Sequence, residues 1–180
     1  PAGWWLSDEM SAYRTKLKNI VANHFSNQAL WAFKDPRTCL LLPLWKSVLQ
    51  EINIDPCYIL VLRNPLNVAA SLQKRDRFPV EKSFALWTLY VLSSLYYTRG
   101  ENRIFISYDR LFEQPVETGA RISHFADIPF NEAIRHTLSS LPNPNLRHGT
   151  YSINDWQWQS VPSIVKRVYQ LCLDGETNEN

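Results

Sequence analysis

Two short segments concentrate the side chains that could do chemistry on an anion. The first is KDPR, which places Lys34, Asp35 and Arg37 directly after an apolar run. The second is RNP, which places Arg63, Asn64 and Pro65 after CYILVL, with Ser71 eight positions beyond the arginine. An arginine at a strand end can fork onto a phosphate through two hydrogen bonds. A serine on the following helix adds a neutral donor. A lysine at a strand–loop junction can donate to a phosphate or stabilise a leaving oxygen as charge builds on it. An aspartate beside it can take a proton from an attacking hydroxyl. Each feature also has a plainer reading. Arg63 serves equally well as the partner of an acid at the sheet edge, with Ser71 merely fitting a close helix contact. Asp35 and Arg37 fit better as a local Asp turn closed by an ion pair.

These residues need strands and helices to hold them. Residues 30–33 read as a short buried strand that Pro36 stops. Pro43 fits the first position of a helix running to residue 52. Residues 57–62 form a continuous apolar run, as in a parallel strand covered on both faces. Asn64 caps the next helix and Pro65 opens it, a start signal for residues 64–75. On a 3.6-residue period Asn64, Asn67, Ser71 and Arg75 share one face.

A third strand is predicted over residues 103–108. Ser7, Asp8 and Glu9 start a first helix over 8–25. Further helices are predicted over 81–98, 115–126, 131–139 and 162–173, with a single turn at 109–112. Strands alternating with helices imply an α/β fold built on a parallel sheet. One domain over residues 1–174 is expected, followed by a disordered tail over 175–180.

Composition removes several classes of function. The chain has 180 residues, 45% hydrophobic, with a net charge of +2, which gives no nucleic-acid footprint. No apolar run reaches membrane-spanning length. The four histidines lack metal-ligand spacing, so no metal is expected. Three cysteines make no disulfide framework and favour a reduced, cytoplasmic setting. Neither a G-x-x-x-x-G-K-[ST] loop, a G-x-G-x-x-G turn nor a G-x-S-x-G elbow occurs. The seven tryptophans are assigned to core packing.

Taken together, KDPR, LLPLW, ILVLRNP, AASL and ISYDRL resemble the sulfotransferases that use 3′-phosphoadenosine 5′-phosphosulfate (PAPS). The order is similar to bacterial carbohydrate-type members, and KDP also occurs in tyrosylprotein sulfotransferases. The resemblance covers roughly residues 30–115. It implies a three-layer parallel sheet of the P-loop-like type, with PAPS as sulfuryl donor. It matches Arg63 and Ser71 to the residues on the 3′-phosphate and Tyr108 to a tyrosine near the adenine. It matches Lys34 to a lysine at the transfer site. Pro36 stands where cytosolic members carry a catalytic histidine, which leaves Asp35 as the nearest candidate base. Arg147 and His148 match a C-terminal segment that contacts the cofactor.

The family also uses an N-terminal strand, an Arg/Lys-Ser-Gly-Thr loop and a helix for the 5′-phosphosulfate. No such loop stands before residue 30, and PAGWW does not read as a natural start, so a domain incomplete at its N-terminus is expected. Two functions follow. One is an enzyme sulfating a hydroxyl acceptor, with a carbohydrate preferred. The other is a non-catalytic nucleotide-binding or interaction module on a degenerate form of the fold.

Overall fold

A computed structural model describes residues 3–140 and 151–178. The elements are α1 (Ser11–Phe25), α2 (Thr38–Glu51), β1 (Tyr58–Leu62), α3 (Pro65–Asp76) and α4 (Val80–Tyr97). They continue with β2 (Arg103–Ser107), α5 (Tyr108–Glu113), α6 (Pro115–Phe125), α7 (Glu132–Ser140) and α8 (Ser163–Asn178). The chain divides into two compact units. One comprises Pro1–Pro56 with Ser93–Gly100, and the other Cys57–Leu92 with Glu101–Asn180.

In the first unit, a 3-10 turn at Asp8–Met10 leads into α1, and α2 packs on it. Glu51 joins the two helices by accepting from Lys18 at 2.7 Å and lying 3.7 Å from Arg14. The helix α2 starts five residues earlier than Pro43 predicts. Its first turn is set by Asp35, whose carbonyl accepts from the Thr38 N–H and whose carboxylate accepts from the Arg37 N–H. Pro43 therefore sits inside the helix, where a proline removes one backbone bond and costs roughly 3 kcal/mol. Burial of Leu42, Leu44, Val48 and Leu49 on the apolar stripe of α2 offsets that cost.

The strand predicted over residues 30–33 does not form among the described residues. Rings, not a backbone ladder, hold this segment. Phe25 and Trp31 stack at 4.3 Å with planes 10° apart, Trp31 and Phe33 follow at 6.1 Å, and Phe33 meets Trp45 at 4.6 Å. A side-chain row of this kind satisfies the apolar pattern that reads as a strand.

In the second unit β1 and β2 pair in parallel, with Leu62 opposite Ser107. The fold is thus of the α/β kind, with a two-stranded parallel sheet among the described residues. The helices α5, α6 and α8 pack on β2, and Ile104, Phe105, Ile106 and Ser107 are all buried. The strand β1 is not covered on both faces as its apolar run predicts. Ile59 and Val61 are exposed, because the described helices that flank the pair gather on β2.

The predicted cap holds: the Asn64 side chain accepts from the Leu66 N–H at 2.9 Å, and Pro65 is the first residue of α3. Gly100 takes a positive φ of 78° after α4, a conformation that costs glycine little. The last helix runs to Asn178, well past the predicted end at Leu173, and Glu176 within it is buried. Among the described residues no helix is long and apolar enough to cross a membrane, and no group of His, Cys, Asp and Glu is placed to hold a metal ion.

The contrast within the sheet gives a direct check. Ile106 is fully buried, so Ile106→Ala is expected to destabilise the chain by about 2–5 kcal/mol in urea unfolding. Ile59 is 41% exposed, and Ile59→Ala should cost less than about 1 kcal/mol. Equal losses at both positions would contradict the uneven cover of the two strands.

Candidate functional site

Because β1 and β2 run parallel and end together, the residues that follow them emerge at one edge of the sheet. Arg63 follows Leu62 and Tyr108 follows Ser107. Their side chains meet there: the Arg63 guanidinium carbon lies 4.6 Å from the centre of the Tyr108 ring. Arg63 is half-buried, with its Nε out of contact with solvent. Its carbonyl accepts a 3.0 Å hydrogen bond from the indole of the buried Trp87 on α4. Tyr108 packs in turn against Phe112, one helical turn on in α5, at 5.0 Å. A guanidinium lying over an aromatic ring has its plane fixed while its N–H edge can still donate.

Beside Arg63, two buried asparagines hold another part of the chain. Asn64 and Asn67 are each 2% exposed. Asn64 caps α3 through its oxygen and donates its amide to the Tyr151 carbonyl at 3.1 Å. Asn67 both donates to that carbonyl at 3.3 Å and accepts from the Tyr151 N–H at 3.0 Å. Both backbone groups of Tyr151 are thereby satisfied, as buried peptide groups require. The 3.6-residue period puts Asn64 and Asn67 on one polar face with Ser71 and Arg75. The face exists but changes character along the helix: its first turn is buried under Tyr151, whereas Ser71 and Arg75 are exposed and Arg75 pairs with Asp76. No hydrogen bond joins Ser71 to Arg63 among the described residues. Arg147 and His148 lie outside the described residues.

Lys34 and Asp35 belong to the first compact unit. Lys34 is exposed at the end of the aromatic row. Asp35 is held bidentately by Arg37, with Nε to Oδ1 at 2.9 Å and Nη2 to Oδ2 at 2.6 Å, while the Arg37 N–H adds a third bond at 2.8 Å. The Arg37 guanidinium, together with that backbone bond, holds the Asp35 carboxyl well below the usual carboxylate range. A carboxylate so stabilised is a weak base for a hydroxyl proton.

Sequence reading singled out Arg63, Ser71 and Tyr108, and the structure brings Arg63 and Tyr108 together. It did not single out Trp87, Asn67 or Glu176 as supports. An asparagine three residues after a capping asparagine is a signal for the Asn67 clamp, but only the segment at Tyr151 gives it meaning.

The chain is 27% identical over 139 residues to a Caenorhabditis briggsae protein named "Putative protein-tyrosine sulfotransferase", covering 72% of this chain. It spans about half the length of that relative, 47%. No family model matches the chain, and no solved structure matches it significantly.

Two measurements check the geometry. Asn67→Ala leaves the part-buried Tyr151 N–H without its acceptor and is expected to lower stability by about 1–3 kcal/mol in urea unfolding; a loss near zero would mean that Tyr151 is not held there. In a carbon-13 NMR titration Asp35 should remain ionised at about pH 3, where an ordinary aspartate is largely protonated. The contribution of the Asp35–Arg37 pair is then fully present above the ordinary aspartate pKa and fades only as pH falls toward the depressed one. Arg37→Ala should return Asp35 to the ordinary range, and an unchanged titration would contradict the pairing.

Proposed function

We propose that this chain carries the nucleotide side of a sulfotransferase site, acting in sulfuryl transfer from PAPS to a hydroxyl acceptor on a P-loop-like α/β sheet of which β1 and β2 are two strands. The observation that supports it best is the Arg63–Tyr108 pair at the shared end of the strands. A fixed guanidinium beside an aromatic ring suits a phosphate attached to a nucleoside: the fork binds the phosphate, and the ring offers an apolar face to the base. The distant similarity to a sulfotransferase points the same way.

The roles then divide as follows. PAPS, when bound, supplies the activated sulfuryl group. Arg63 takes the 3′-phosphate, with Ser71 as a neutral donor two turns along α3. Tyr108 orients Arg63 and lies toward the adenine. Lys34 is the cation that stabilises the leaving oxygen. Asp35 orders the KDPR turn through Arg37, and the proton of the acceptor goes to a base other than Asp35. For the acceptor, the KDP segment and the relative's name favour a peptide tyrosine over the carbohydrate that the bacterial-type resemblance suggested. The second reading, a nucleotide-binding module without transfer, is favoured by the commitment of Asp35 to Arg37.

Calorimetry with 3′-phosphoadenosine 5′-phosphate tests the assignment. Arg63→Ala is expected to weaken binding by about 1–3 kcal/mol. Binding that survives the substitution unchanged would remove Arg63 from the phosphate site. Labelled sulfate arriving on a tyrosine peptide and not on a glycan would select the acceptor, while tight nucleotide binding without transfer to either would select the second reading.

A further inference from the structure

We infer that Glu176, near the end of α8, is the positioning residue that sets Tyr108 against Arg63; its bearing on nucleotide binding rests on the function proposed above. A carboxylate only 4% exposed is costly unless it is paired and hydrogen-bonded. Glu176 directs one oxygen, Oε1, at three groups. The Ser107 N–H donates to it at 2.9 Å, Arg121 of α6 lies at 3.5 Å, and Arg110 of α5 lies at 3.8 Å. Arg121 also donates to the Glu176 carbonyl at 3.2 Å, which fixes the end of α8 as well as its side chain.

Ser107 is the last residue of β2 and Arg110 lies in the first turn of α5. They bracket Tyr108. The Ser107 N–H has no role in α5 and, pointing to Glu176, lies on the side of β2 away from a bond to β1. The carboxylate therefore takes the place of a neighbouring strand at that edge. With the strand end and the helix start both tied to one oxygen, the direction in which Tyr108 leaves the backbone is fixed. The ring meets the Arg63 guanidinium 4.6 Å away as a result.

Reach and charge can be separated by two conservative variants. Glu176→Gln keeps an oxygen at the same reach but removes the charge. Glu176→Asp keeps the charge but shortens the reach by one methylene. The readout is the upfield ring-current shift that Tyr108 imposes on the Arg63 side-chain resonances in NMR, referenced to Tyr108→Leu. It needs no ligand. Glu176→Gln is expected to retain the shift, and Glu176→Asp to lose it. In calorimetry with 3′-phosphoadenosine 5′-phosphate, Glu176→Asp should weaken binding about tenfold and Glu176→Gln less than about twofold.

A Glu176→Gln chain that folds but loses the shift overturns the inference, since the charge and not the reach of the oxygen would then be what positions Tyr108. So does a Glu176→Asp chain that keeps it. If the Asp variant does not fold, Glu176→Ala takes its place: loss of the shift is expected, and retention overturns the inference. If the unsubstituted chain binds no nucleotide while the NMR pattern holds, the positioning role stands and the proposed function falls.

Discussion

The parallel pairing of β1 with β2 is the constraint on which the second unit depends. Its register sets Leu62 beside Ser107, so the residues that leave the sheet next are Arg63 and Tyr108. An antiparallel pair would send them to opposite edges. Everything around the pair fixes that exit. Trp87 holds the Arg63 carbonyl, Asn64 starts α3, and Glu176 holds the end of β2. The buried residues of β2, Ile106 above all, supply the apolar support for it.

The ion pairs at Glu176, Asp35 and Asp76 differ in how far water shares in holding the charge. Glu176 is buried and meets two arginines and a backbone N–H. Asp35 is half exposed and meets a single arginine in a turn of three residues. The Arg75–Asp76 pair is exposed on α3, and pairs of that kind contribute little to stability. The carboxylate nearest in sequence to Lys34 is thus part of a local turn. In the function proposed above, Lys34 therefore acts by charge stabilisation and not by acid–base catalysis.

Much of the second unit was legible in the sequence because its signals are local. Asn64-Pro65 marks a helix start through one hydrogen bond and one missing N–H, and both are there. The apolar runs before Arg63 and Tyr108 mark strands, and their parallel pairing follows from the intervening helices. Three features were not legible because they depend on distant partners. Residues 30–33 have the pattern of a strand, but their aromatic rings stack with Phe25 and Trp45 instead. Pro43 looks like a helix start, yet Asp35 starts the helix earlier. Glu176 lies in a polar C-terminal stretch whose composition reads as a tail. Only the Ser107 N–H and two arginines, more than 50 residues away in sequence, turn it into a buried anchor.

In the proposed function the shared end of β1 and β2 is a phosphate-binding edge. A crystal structure of this chain with 3′-phosphoadenosine 5′-phosphate tests it most directly. The account predicts the 3′-phosphate within hydrogen-bond distance of the Arg63 guanidinium, with the adenosine on the Tyr108 side of that edge. A nucleotide bound elsewhere, with Arg63 still lying on Tyr108 and touching no phosphate, would contradict it.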